Sequence, residues 1–233
     1  NFIQENMITS DNKQEWDKCN LCSSNKLKVF YNDKGICQCT ECKFVFYKSI
    51  PSSDELDAVY SNYSREEYIT DISKNKISSE LQRLLSSHQI KNVLDIACGE
   101  CYFLDILQDI DPALNLYATE HETGKERVIK KGHNYIEGDF FPKTDIKFDL
   151  IIFTEAIEHI NDVSEFLESA YTLLRPGGLI YITTPNFSSL ERLIMGSKWG
   201  MVTPPEHLSY FTVSTLNKIM NRSKFQKIYS LTE

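Results

Sequence analysis

Five of the seven cysteines in this 233-residue chain fall between Cys19 and Cys42, and their spacing is the first sign of chemistry. Cys19-Asn-Leu-Cys22 and Cys39-Thr-Glu-Cys42 form two knuckles separated by 16 residues. That spacing suits four thiolates arranged as a tetrahedron around one zinc ion. So short a segment buries little core of its own, and a bound metal would supply the missing folding free energy. Cys37 is the surplus thiol; in an alternative arrangement it replaces Cys39 as ligand. A zinc ribbon of this kind can contact nucleic acid or protein, but in so acidic a chain a structural lid is the favoured role.

A second group of residues sits at the ends of apolar runs. Asp95-Ile-Ala-Cys-Gly-Glu-Cys101 follows one such run and precedes the helically spaced Phe103, Leu104 and Leu107. Small residues at Ala97, Gly99 and Cys101 let backbone amides approach a ligand at the carboxyl edge of a sheet. Glu120 closes the next run, 25 positions after Asp95, as a carboxylate able to accept both hydrogen bonds from a ribose diol. Gly138-Asp139-Phe140 ends a third run, where a carboxylate beside an aromatic ring suits an adenine amino group and face. Each alone is an ordinary turn; in order along successive parallel strands, they gather on one edge. Cys98 and Cys101 also make a CxxC, but their place in this loop sets aside a redox or metal role.

These residues need a particular scaffold. From Lys91 onward, short buried apolar runs alternate with amphipathic stretches, the pattern of a parallel sheet covered by helices. Strands are predicted at 93–97, 116–120, 135–137, 148–153 and 179–183, with a sixth at 227–231. Val163, Phe166, Leu167, Ala170, Leu173 and Leu174 share a helical face behind the capping pair Asp162 and Glu165, and Arg175-Pro-Gly-Gly178 ends that helix. Upstream, 43–47 reads as a short strand. Leu56, Val59, Tyr60 and Tyr63, then Ile77, Leu81, Leu84 and Leu85, show helical spacing. The expected organisation is a zinc-binding module over 1–50, a helical connector or lid over 51–90 and an α/β domain over 91–233, within which 186–211 covers the acceptor.

Phe148-Asp-Leu-Ile-Ile-Phe-Thr-Glu-Ala-Ile-Glu-His-Ile160 and Leu174-Arg-Pro-Gly-Gly-Leu-Ile-Tyr-Ile-Thr-Thr-Pro-Asn186 resemble the fourth- and fifth-strand motifs of class I S-adenosylmethionine-dependent methyltransferases. The likeness is to the small-molecule branch that includes ubiquinone O-methyltransferases and covers roughly residues 92–231. It implies an α/β, Rossmann-like sheet with helices on both faces, here with a small N-terminal zinc ribbon added. It also implies S-adenosylmethionine as cofactor, with Asp95 and Gly99 by the methionine moiety, Glu120 on the ribose, Asp139 and Phe140 framing the adenine, and Glu155 opening the loop beside the sulfonium. Ala97 and Cys101 stand where that family more often has glycine, and both are small. The fold usually adds a seventh strand after the sixth, whereas this chain stops just past 231.

Similar knuckle pairs precede methyltransferase domains in enzymes of deoxysugar and surface-polysaccharide pathways, and Glu206-His207 resembles the Glu-His pair of sugar C-methyltransferases. There a tyrosine stands two positions before the Glu; here Pro204 does. A sugar hydroxyl needs a general base, for which His207 and His159, with Glu206, are the candidates, whereas Glu158 reads as a surface carboxylate. Trp199, Tyr210 and Phe211 cover the acceptor or pack a core, and one of Tyr60, Tyr63 and Tyr68 is expected against cofactor or substrate. The net charge of −8 argues against nucleic acid, and the absence of a long apolar run or an apolar leader argues for a cytoplasmic protein without membrane contact. The expectation is a methyltransferase acting on a small molecule, foremost O-methylation of a sugar or nucleotide-sugar. Sugar C-methylation, quinol or phenol O-methylation, and a non-catalytic zinc-ribbon protein that senses the cofactor are the alternatives.

Overall fold

The computed structural model describes residues 14–61 and 71–227. Strands β1 (Leu27–Tyr31), β2 (Ile36–Cys39) and β3 (Val45–Tyr47) come first, followed by helices α1 (Ser53–Ser61) and α2 (Asp71–Ser87). The succession β4 (Asn92–Asp95), α3 (Tyr102–Ile110), β5 (Asn115–Ala118), α4 (Lys125–Lys130), β6 (Asn134–Tyr135), β7 (Phe148–Thr154), α5 (Val163–Leu173) and β8 (Leu174–Thr183) then builds the α/β unit. Helix α6 (Leu190–Met195), strand β9 (Ser209–Tyr210) and helix α7 (Val213–Arg222) complete the described chain. The sixth strand expected over 227–231 falls almost wholly outside the described residues, as do Tyr63 and Tyr68; Tyr60 falls in α1.

Five strands form a parallel sheet in the order β6-β5-β4-β7-β8. Successive side chains on a strand point to opposite faces, and the apolar runs obey that rule. Leu94, Ile151 and Phe153 pack with Phe166 and Leu167 of α5 on one face, while Val93, Leu150 and Ile152 pack with Leu104 and Leu107 of α3 and Leu81 of α2 on the other. Both faces are therefore dry over the central strands β4 and β7, as parallel sheets require, while the edge strand β8 is only half-buried. Asp162 caps α5 by accepting from the Glu165 amide at 3.0 Å, and Thr212 and Thr215 form a reciprocal capping box on α7.

The strand ends depart from expectation in two places. Strand β6 is only two residues long, although the Ile136 amide still reaches the Ala118 carbonyl at 2.8 Å. Helix α5 stops at Leu173, and Leu174 already pairs with Phe148, after which the register resumes at Leu150 with Leu179. Arg175-Pro-Gly-Gly178 is thus looped out of β8; Gly177 takes φ 78°, and a Cβ on Gly178 would lie 2.9 Å from the Arg175 carbonyl oxygen, so only glycine fits without displacement.

A second sheet, in the order β1-β2-β3-β9, is antiparallel. Its first three strands come from the cysteine segment and its fourth from beyond residue 200. Among the described residues no helix is long and apolar enough to cross a membrane.

Phe153 and Phe166 stack at 4.2 Å between ring centroids and are fully buried. Phe166→Ala is expected to cost ~3–5 kcal/mol of stability, read as a lower urea midpoint with an unchanged slope; a loss under ~1 kcal/mol would show that α5 is not a principal element of the core.

Candidate functional site at the carboxyl edge of the sheet

Every strand-end residue singled out from the sequence lies at or just past the carboxyl end of β4, β5, β6 or β7. The backbone there is unusual. Ala97, Gly99 and Cys101 take φ of 54°, 54° and 58°, Gly138 and Asp139 take 113° and 35°, and Glu155 takes 47°. Left-handed geometry in residues other than glycine costs free energy and collects where a site needs it. It is held by hydrogen bonds: the Ala97 amide donates to Thr119 Oγ1 at 3.2 Å, and the Glu155 amide donates to the Thr183 carbonyl and to Thr183 Oγ1 at 3.0 and 3.2 Å. Asp95 is 1% exposed.

Two strand ends meet directly. The Gly99 amide donates to Glu120 Oε2 at 2.6 Å, and Arg127 Nη1 donates to the Gly99 carbonyl at 2.9 Å. Gly124 is packed so closely under Glu120 that a Cβ there would collide with its side chain, which fixes the carboxylate toward the loop. Phe140 stands edge-on to Phe153 at 6.3 Å. A carboxylate held against the Gly99 loop, and a half-buried ring beside Asp139, suit the polar ends and flat face of an adenosyl group. A cavity of about 380 Å³ lined by His88, Asp149, Arg175 and Gly177 lies instead at the amino ends of β7 and β8, remote from all of these residues, so its size does not make it the site.

Beyond β7 the chain makes a tight 3-10 turn over Ile157–His159, and a nitrogen of His159, a nitrogen of His207 and a carboxylate oxygen of Glu158 lie within 4.8 Å of one another. The imidazole rings are 4.8 Å apart at 85°. His207 Nδ1 lies 2.8 Å from the Met201 carbonyl and His159 Nδ1 2.9 Å from that of Glu206. A carbonyl only accepts, so both Nδ1 atoms carry hydrogen and Nε2 is the basic nitrogen of each neutral ring. Burial lowers the His207 pKa from its ordinary value, against the opposing pull of the Met201 carbonyl and the Glu206 charge. Such a set can move a proton or hold a divalent cation.

Glu158 corrects the sequence reading: it is 1% exposed, not a surface carboxylate, and accepts from Thr184 Oγ1 at 2.9 Å. Trp199, Tyr210 and Phe211 are likewise buried in the seam with the N-terminal segment, beside Phe187, Ile36 and Val45 or against Phe44. They pack a core there.

Cys19, Cys22, Cys39 and Cys42 bring their sulfurs within 4.8 Å of one another, with Cys19–Cys42 at 3.5 Å and Cys22–Cys39 at 3.6 Å. The two knuckles are built alike: Ser23 and Lys43, each following a second cysteine, take φ of 62° and 70° and return their amides to the Cys19 and Cys39 carbonyls. Burial pushes the Cys42 thiol up to about 11, whereas for Cys39 the Cys42 and Glu41 amides outweigh burial and leave it at about 7. Cys37 lies apart in β2, raised by burial to about 12.

A family model described as a methyltransferase domain matches residues 68–230. A probable S-adenosylmethionine-dependent methyltransferase of Mycolicibacterium smegmatis is 26% identical over 152 residues, covering 62% of this chain and 56% of its own length. The mitochondrial ubiquinone biosynthesis O-methyltransferase of Dictyostelium discoideum is 29% identical over 152 residues, covering 57% and 45%. The solved structure of a SAM-dependent methyltransferase from Archaeoglobus fulgidus shares the fold, with a TM-score of 0.53 at 22% identity, covering 66% of this chain and 70% of that one. The chain spans about half the length of the curated relatives it matches.

Because its folded pKa lies below its unfolded one, His207 contributes stability that is complete above ~6.5 and is lost as the pH falls toward the folded value. The unfolding free energy of the wild type, from urea titration, should therefore fall between about pH 7.5 and about pH 5.5 more steeply than that of His207→Gln, by at most about 1.4 kcal/mol per pH unit, the limit for one proton. Parallel profiles would place His207 in contact with solvent.

Proposed function

The chain belongs to the methyltransferase-domain family, and from that premise we propose that it moves the methyl group of S-adenosylmethionine to a hydroxyl of a sugar or nucleotide-sugar. The observation that carries this reading is the convergence of left-handed strand ends at Ala97, Gly99, Cys101, Asp139 and Glu155, with a histidine pair just beyond β7 in which His207 is buried and His159 half-buried. Asp95, Gly99 and Glu155 take the amino-acid and sulfonium end of the cofactor, Glu120 the ribose diol, and Asp139 with Phe140 the adenine. When bound, S-adenosylmethionine supplies an electrophilic methyl carbon that already carries its leaving group, so alignment is the protein's main task.

The remaining task is a proton. His207 Nε2, held in its basic tautomer by the Met201 carbonyl, accepts the proton of the acceptor hydroxyl as the oxygen attacks. Its lowered pKa keeps the ring neutral near pH 7. His159 and Glu158 lie close enough to favour the imidazolium once it forms, and Glu206 adds negative charge nearby. The four knuckle cysteines hold a structural zinc ion: the donor set is all-sulfur, and the sulfur separations of 3.5 and 3.6 Å agree with the edge of a tetrahedron of ~2.3 Å bonds. The sugar class is supported by the pairing of this cysteine module with Glu206-His207, whereas relatives named for ubiquinone biosynthesis make a quinol the competing acceptor.

Incubation with labelled S-adenosylmethionine and a panel of nucleotide sugars, quinols and phenols should label a nucleotide sugar. His207→Ala should then lower kcat by ~10²–10⁴-fold while S-adenosylhomocysteine binds as tightly as before. Label only in a quinol or phenol overturns the acceptor class, and full activity of His207→Ala overturns the base.

A further inference from the structure

The cofactor loop contains a feature that methyl transfer does not use. The Cys101 amide donates to the Cys98 carbonyl at 2.9 Å, closing a turn, and the Cys98 amide donates to the Thr119 carbonyl at 3.0 Å. That turn, with Cys101 in left-handed geometry at the start of α3, sets the two sulfurs 3.5 Å apart. Both side chains are buried, at 8% and 0% exposure, and neither belongs to the knuckle cluster. Residues i and i+3 of a turn have Cα atoms within ~7 Å, at the span a disulfide bridges, so closure to ~2.05 Å requires side-chain rotation and a small twist of the turn.

We propose that Cys98 and Cys101 are a reversible redox pair, closed to a disulfide by a small peroxide and opened by thiols, that sets the cofactor affinity of the loop. The pair is chemically unequal. Hydrogen bonding from Cys98 holds Cys101 below the ordinary thiol range, with Lys131 assisting against burial, while the same contact, burial and the Asp95 charge hold Cys98 above it. Cys101 is therefore the attacking sulfur. It attacks one peroxide oxygen, the O–O bond breaks, and the departing hydroxide leaves as water with a thiol proton, giving a sulfenic acid. The Cys98 sulfur displaces the sulfenyl oxygen, which leaves as a second water with the second proton. Two thiols and one hydrogen peroxide thus give one disulfide and two waters. Peroxide suits buried sulfurs because it is hardly larger than water.

The consequence for binding rests on the cofactor reading above. Gly99 lies within the ring that the disulfide closes, and its amide and carbonyl hold Glu120 and Arg127. Twisting that turn moves the contacts at the ribose end. By linkage, whatever binds the open loop resists its closure by the same factor.

The intact, metal-loaded protein is treated with hydrogen peroxide, its free thiols are blocked with N-ethylmaleimide, and it is digested with trypsin. The peptide between Lys91 and Lys125 contains Cys98, Cys101 and no other cysteine. It should appear unalkylated and lighter by two hydrogens, and S-adenosylhomocysteine should bind the oxidised protein at least ~10-fold more weakly, with dithiothreitol reversing both changes. Cys101→Gly, which suits the left-handed φ, should show no peroxide-induced fall from its own reduced affinity. Two alkylated thiols after peroxide, or a disulfide with unchanged affinity, overturns the proposal. Reduced protein that ignores S-adenosylhomocysteine refutes the cofactor reading and the affinity switch with it, while the peptide map independently decides whether the dithiol closes.

Discussion

Tyr47 donates its amide to the Leu208 carbonyl at 2.8 Å, while the Leu208 amide donates to the Glu158 carbonyl at 2.7 Å. One residue thereby joins the cysteine segment to the turn after β7. The next two residues extend the junction, pairing Ser209 with Phe46 and Tyr210 with Val45. Tyr210 returns its hydroxyl to the His207 carbonyl at 2.9 Å, Phe211 packs on Phe44 at 5.2 Å, and Lys218 and Arg222 of α7 donate to the Cys42 and Leu21 carbonyls. Backbone groups sealed in such a seam must be paired or incur a penalty, so the position of His207 is fixed from both sides.

The site accordingly has two halves with different supports. The proposed cofactor half is a property of the parallel sheet: β4, β5, β6 and β7 end together, and the loops after β4 and β7 are held by Thr119 and Thr183. The proposed acceptor half depends on β9, which belongs to the other sheet, and hence on the cysteine segment that supplies the rest of that sheet and whose second knuckle joins β2 to β3. A small sheet with so little core of its own needs cross-linking to be stable, and four adjacent thiols can provide it through a metal. With His207 as the proposed base, the cysteine module has a positioning role beyond that of a cover.

The sequence made some of this legible and hid the rest for physical reasons. The parallel strands were readable because a strand buried on both faces must be apolar throughout, as in Leu150–Phe153, and α5 was readable because its buried face repeats at helical spacing. The four knuckle cysteines were readable as one cluster because two CxxC pairs 16 residues apart can bring their sulfurs together. Strand β9 was not: two residues carry no periodicity, and its partner lies more than 160 positions away. The proximity of His159 and His207 follows from the bond of the Leu208 amide to the Glu158 carbonyl and of His159 to the Glu206 carbonyl, and was equally hidden. Glu158 read as a surface carboxylate because burial of a charge is decided by Thr184 and Leu208, which are distant in sequence. Trp199 and Phe211 left acceptor cover and core packing both open, and the second sheet shows that they pack a core. Cys98 and Cys101 lie in the loop after β4, yet spacing alone could not reveal that the turn brings their sulfurs to 3.5 Å.

The account stands on the link from the knuckles through β9 to His207, and imidazole NMR of the intact protein before and after metal removal tests it most directly. Metal-loaded protein should show a slowly exchanging His207 Nδ1 proton and a ring that titrates below ~6.5. Stripping the metal with a chelator should release that proton to exchange and return the titration toward ~6.5. A His207 signal indifferent to the metal would contradict the account, separating the cysteine module from the chemistry it is held to position.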